Sequence, residues 1–156
     1  MFSLFRKEAI DYFSKEDKEK IKAAIEAAEK NTSGEIRVFV EHYCKHNDPI
    51  HRAKEVFHSL KMNETFNRNA VLLYIAIQHK KMAIYADAGI YVKMDKVFWE
   101  NALQTMQAHF KRENFAHGIL EAIHIIGEAL AEHFPIGEGV IKNDLPDDLV
   151  FGKNNR

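Results

Sequence analysis

RNAVLLYIAIQHKKMAIYADAG, residues 68–89, decides the fold. Its apolar run, Ala70 to Ile77, holds no charge and no glycine. The run is too short to span a bilayer, and its Val, Leu and Ile content favours a strand buried on both faces of a sheet. Gln78-His79-Lys80 turns the chain, and Lys81 to Ala86 returns as a second strand against the first. Asp87-Ala88-Gly89 ends the hairpin. Asp87 is thereby brought back beside Arg68 and Asn69, where the first strand began. Polar residues at the rim of an apolar sheet are the place to look for chemistry.

Upstream, a short aromatic arm (residues 1–13, with Phe2, Phe5, Tyr12 and Phe13) precedes a helix that runs to about Lys30. Ser14 followed by Asp17 reads as its N-cap and acidic first turn. Ile21, Ala24, Ile25 and Ala28 share one face, and the Lys and Glu residues take the other. Asn31-Thr32-Ser33-Gly34 stops the helix. Glu35 to Glu41 then alternates as a strand, with Ile36, Val38 and Val40 on one face and Phe39 on the other. Pro49 suits a first helical position. The helix it opens turns Ile50, Ala53, Val56, Phe57 and Leu60 inward. A strand-helix-strand unit at this spacing is a right-handed crossover with parallel strands.

Downstream of Gly89, a helix spans about 95–111, with Val97, Phe98, Leu103, Met106 and Phe110 on its core side. Asn114 reads as the N-cap of a last helix, Phe115 to Phe134. Its stripe is Phe115, Ile119, Ala122, Ile123, Ile126 and Leu130. Gly118 and Gly127 each lower helix propensity by about 1 kcal/mol relative to Ala, which a close helix-to-helix or helix-to-sheet approach would explain. Pro135 ends the helix, and 136–156 reads as an extended or partly disordered tail. The order α-β-α-β-β-α-α describes one α/β sandwich, residues 14–135, with a small mixed sheet.

The bulk numbers narrow the function classes. A chain of 156 residues fits one domain. Formal net charge of -1 gives no field to attract nucleic acid or an anionic membrane. A single cysteine, Cys44, excludes an internal disulfide and points to a reducing compartment. Arg6, Lys7 and Glu8 interrupt what would be a signal-peptide core, and no stretch reaches the ~18 apolar residues of a membrane span. A soluble cytoplasmic monomer is expected, acting with a protein partner that the sequence does not identify.

Two clusters carry candidate chemistry. With parallel first strands, Glu35, Asn69 and Asp87 come to one end of the sheet. Their oxygens suit Ca²⁺ or Mg²⁺, and Arg68 can pair with a carboxylate or with a phosphate. The alternative is a structural network of caps and turns in which Asp87 pairs with Arg68. The opposite rim gathers Glu41, His42, Cys44, His46, Asp48 and His51, a zinc-capable set without a clean paired spacing. His58, His79, His109, His117, His124 and His133 are scattered, and no Gly-rich phosphate loop, GxSxG or HExxH occurs.

TSGEIRVFVE (32–41), RNAVLLYIAI (68–77), MAIYADAGI (82–90), the Phe98-Trp99 pair and F-x-x-G-I from Phe115, in this order and spacing, resemble the TPM domain family. The family is named after a thylakoid-lumen protein, a photosystem II repair protein and a modulator of acetylcholine receptors. NDLPDD (143–148) is similar to the tail of its soluble bacterial members. The resemblance implies a three-layer α/β/α sandwich, divalent-cation binding and, by analogy with the plant relative, acid phosphatase activity. It also implies a role in the repair or assembly of protein complexes. Asp87 is the firmest carry-over and Glu35 the next. Asn69 stands where relatives place an Asn-Gly pair, with Ala70 in place of the glycine. Three readings follow: a cation-binding module, a metal-dependent phosphatase in which Arg68 binds phosphate and Glu35 and Asp87 hold the ion, or a scaffold whose rim is structural.

Overall fold

The computed structural model describes residues 7–137 and 148–152. Phe2, Phe5 and most of the NDLPDD tail lie outside them. Helix α1 (Lys15–Glu29) is followed by β1 (Glu35–Glu41), α2 (Pro49–Ser59), β2 (Ala70–Ala76) and β3 (Lys81–Ala86). Then come α3 (Ala88–Tyr91), α4 (Lys96–Lys111), α5 (Phe115–His133) and β4 (Leu149–Phe151). Short 3-10 turns occupy Ala9–Tyr12 and Met62–Glu64.

The sheet runs β3-β2-β1-β4. β1 pairs in parallel with β2 and with β4, while β2 and β3 form the antiparallel hairpin. All residues of β1 and β2 are buried. Alternation divides them between two cores. Ile36, Val38, Val40, Val71, Leu73 and Ile75 pack with Ile21 and Ile25 of α1, Met106 of α4 and the stripe of α5. Phe39, Ala70, Leu72 and Tyr74 pack with Ala53, Val56 and Phe57 of α2. The result is three layers, with α1, α4 and α5 on one face and α2 on the other. Each fully buried Leu, Ile or Val contributes roughly 1.5–3 kcal/mol, so the hairpin anchors both cores.

The glycines of α5 do what their position required. A Cβ on Gly127 would stand 2.9 Å from Ala28 Cβ of α1, and one on Gly118 would stand 3.0 Å from His109 Cβ of α4. Ser14 caps α1 as expected, accepting from Asp17 N at 3.0 Å in a full capping box. The hydroxyl of Thr32 donates to the carbonyls of Leu130 and Phe134, tying the end of α5 to the start of β1.

Several expectations need correction. Leu149–Phe151 forms a fourth strand on the edge of β1, absent from the order α-β-α-β-β-α-α. Asp87 opens a four-residue helix, where a plain connection was expected. Ile50 is 44% exposed and Val97 59% exposed; both sit in the first turns of their helices, α2 and α4. Asn114 occupies the N-cap position of α5 without a side-chain cap bond. Glu29, assigned to the polar face of α1, is buried, and its carboxylate accepts from Ile36 N at 2.8 Å.

Candidate functional site

The strand starts meet at one rim. Glu35 N donates to the Asn69 carbonyl at 3.4 Å, and Asp87 N donates to the Ala70 carbonyl at 2.9 Å. Register places Ala70 beside Glu35 and Val71 beside Ala86, so Glu35, Ala70 and Asp87 form one row across three strands. Ala70 and Phe39 belong to the α2-side core, and strand alternation therefore turns Glu35 and Asp87 to that same face. They flank Ala70 from the two neighbouring strands, about 10 Å apart along the row. Glu35 is 2% exposed, Asn69 1% and Asp87 5%.

Each residue has a distinct setting. The guanidinium of Arg68 donates to both oxygens of Asp87 at 2.7 Å, a bidentate fork. This carboxylate raises the guanidinium pKa further, by hydrogen bonding first and charge second. Asp87 also accepts from Ala88 N at 2.8 Å and so caps α3. The Arg68 side chain is half exposed. Its backbone lies in the left-handed region (φ 52°), which aims its carbonyl at Gly89 N, 2.8 Å away. Asn69 Nδ2 donates to Ser33 Oγ at 3.1 Å, and Asn67 Nδ2 reaches the same oxygen at 3.3 Å. Asn69 Oδ1 is buried with no hydrogen-bond partner among the described residues. A buried carbonyl oxygen left this way costs roughly 1–3 kcal/mol, so the site would gain by giving it a ligand.

The opposite rim is largely self-satisfied. Glu41 receives Nε and Nη2 of Arg52 at 2.8 and 3.0 Å, and the Tyr74 hydroxyl donates to the same carboxylate. Asp48 caps α2 through Ile50 N at 3.0 Å. Cys44 is buried, and its thiol donates to the His46 carbonyl at 3.1 Å. Only His46 and His51 of the six candidates converge, with rings stacked 4.0 Å apart, and they do so on Glu55, which sequence reading passed over. Helical spacing from His51 to Glu55 (i, i+4) was the available signal. Glu55 is shared with His46 at 3.0 Å, Arg52 at 3.2 Å and Lys45 at 3.5 Å.

Those partners hold the Glu55 carboxyl down at about 2. The His46 hydrogen bond is the largest cause; partial burial pushes the other way, and Arg52 and Lys45 add to the lowering. A depressed carboxyl contributes stability that is complete above its unfolded value near 4.5 and is lost as pH falls towards 2. Urea midpoints of the native chain and of Glu55→Gln should therefore differ near pH 5 and converge as the pH falls towards 2. A gap that does not narrow in acid would show that Glu55 is unpaired in solution.

A second His-His-Glu group joins α4 to α5. His109, His117 and Glu121 bring one ligand atom each to within 4.8 Å of one another. Among the described residues, no helix is long and apolar enough to cross a membrane.

A sequence model of the TPM domain matches residues 7–129. The NMR structure of the BA42 protein from the psychrophilic bacterium Bizionia argentinensis is 39% identical. It superposes with a TM-score of 0.82, over 92% of this chain and 97% of that one. The N-terminal domain of the cg2496 protein from Corynebacterium glutamicum is 14% identical with a TM-score of 0.63, over 84% of this chain and 81% of that one. The N-terminal domain of a P. gingivalis protein is 15% identical with a TM-score of 0.66, over 79% and 81%. These two share the fold. No curated protein matches at a significant level.

Proposed function

The chain belongs to the TPM domain family, and from that premise we propose that it is a cation-binding module whose rim takes Ca²⁺ or Mg²⁺ through Glu35, Asn69 and Asp87. The observation that carries this reading is Asn69 Oδ1, a buried carbonyl oxygen without a partner among the described residues, at the rim that holds two buried carboxylates. The donors are all oxygens, which suits hard cations over zinc. Arg68 already holds a positive charge against Asp87 and stands in for the cation. Its half-exposed side chain can swing into water and vacate the carboxylate. Cation binding would thus exchange an internal guanidinium for an external ion. It would also act on α3, which Asp87 caps and whose Tyr91 is exposed beside Val92. Such a surface fits a protein partner in the repair or assembly of complexes.

Calorimetric titration with Ca²⁺ and Mg²⁺ tests the reading. Asp87→Asn should abolish binding. Arg68→Gln should tighten it by roughly tenfold, since one competing hydrogen-bonded charge is worth about 1.5 kcal/mol or more. No heat and no shift in Tm up to millimolar metal, in either the native chain or Arg68→Gln, would remove the proposal and leave a structural rim. Aryl phosphate hydrolysis that disappears in Asp87→Asn would extend the same site to phosphatase chemistry, with Arg68 released to bind the phosphoryl group.

A further inference from the structure

The α4–α5 hairpin packs tightly because Gly118 has no side chain. A Cβ there would lie 3.0 Å from both His109 Cβ and the Met106 carbonyl. This close approach sets His109 of α4 over the first turns of α5. His117 and Glu121 stand there one turn apart on the same face. Nε2 of His109 is 3.1 Å from one oxygen of Glu121, and Nε2 of His117 is 3.1 Å from the other. The two rings meet edge to face with centroids 4.5 Å apart. Both imidazoles thus present the same nitrogen to one carboxylate.

We propose that His109, His117 and Glu121 form a binding site for Zn²⁺, separate from the oxygen-rich rim and independent of its reading. Two imidazole nitrogens and a carboxylate are a borderline-soft donor set, and a solvent water would complete the tetrahedron. Zinc needs each ligand at about 2 Å. His117 and Glu121 are half exposed, so rotamer changes can close the gap and the metal has access to water. Among the described residues no lysine or arginine ion-pairs with Glu121. In the group at His46 and His51, by contrast, Glu55 is already neutralised by Lys45 and Arg52. The bound ion would clamp α4 to α5 and make the hairpin's stability depend on metal.

The molecule supplies its own control. His124 and Glu128 repeat the i, i+4 spacing on α5, 2.7 Å apart and largely exposed, with no third ligand from another helix among the described residues. The test is a Zn²⁺ titration of the full chain against a chromophoric chelator, in a His51→Ala background that removes the other His-His-Glu group. One Zn²⁺ per chain is expected, with a rise in Tm. His109→Ala and Glu121→Gln should each weaken binding by about 100-fold or more, beyond the 10–100-fold typical of outer-shell losses. His124→Ala should leave it unchanged. Zn²⁺-dependent shifts in the ring resonances of His109 and His117 report the site directly if a variant loosens the hairpin. Absence of Zn²⁺ uptake, or equal loss in His124→Ala, would overturn the proposal.

Discussion

Glu41→Ala should lower the unfolding free energy by about 3 kcal/mol, read from urea denaturation at neutral pH. The carboxylate serves two donors on the α2 face of the sheet. One is the hydroxyl of Tyr74, a side chain with no exposure; burial, and then the hydrogen bond to Glu41, push its pKa up. The other is the guanidinium of Arg52, whose own pKa rises chiefly because of Glu41. Removing the acceptor strands a buried phenol, which costs roughly 1–3 kcal/mol, and leaves a mostly buried cation short of a partner. Breaking a fully buried pair costs about 3–5 kcal/mol, and this one must be discounted. Arg52 is partly exposed and keeps Glu55 at 3.2 Å. Glu41→Gln, which retains an acceptor for Tyr74 but loses the charge, should cost about half as much. A change below about 0.5 kcal/mol in Glu41→Ala would mean that the network is open to water. The outcome also bears on function. In parallel α/β sheets this end of the strands commonly binds ligands, and here its acid is committed to holding the fold.

The same end shows what could be read from the chain and what could not. β1 and β2 were legible because alternation and an unbroken apolar run are local signals, although β2 ends at Ala76, one residue before the run does. The strand Leu149–Phe151 was not, since three residues carry no period and their partner, the edge of β1, lies more than 100 residues away. Glu29 looked like a solvent residue because nothing local reveals that Ile36 N will need an acceptor. At the rim, the sequence brought Glu35, Asn69 and Asp87 to one end through strand direction alone. It also offered the Arg68–Asp87 pairing, which the structure contains in bidentate form. The His109–Glu121 contact was out of reach. It crosses two helices and depends on the inter-helix distance that Gly118 allows. Spacing along a chain reports neighbours on one element, whereas a site between elements depends on packing.

Gly89→Ala should be at least as damaging as Glu41→Ala, about 3 kcal/mol or more, and should also disable the rim. A Cβ at this position would lie 2.1 Å from the Asn67 carbonyl oxygen and 2.6 Å from that of Arg68. Both obstacles are backbone, so no side-chain rotation relieves them. Overpacking alone costs typically 1–3 kcal/mol. Here the displacement also breaks the bond from Gly89 N to the Arg68 carbonyl, worth about 1 kcal/mol. Arg68 holds a left-handed backbone, a strained state for a residue with a side chain, and it is kept there by these carbonyl bonds and by its fork to Asp87. Pushing α3 away removes the first support and misaligns the second. The proposed cation site is therefore expected to weaken along with the fold. Ca²⁺ titration at a temperature where Gly89→Ala remains folded separates the two effects. Affinity unchanged in a folded variant would show that Asp87 does not depend on the α3 contact for its position. Lost affinity would make the close approach of Gly89 to residues 67 and 68 the element that fixes the rim's geometry.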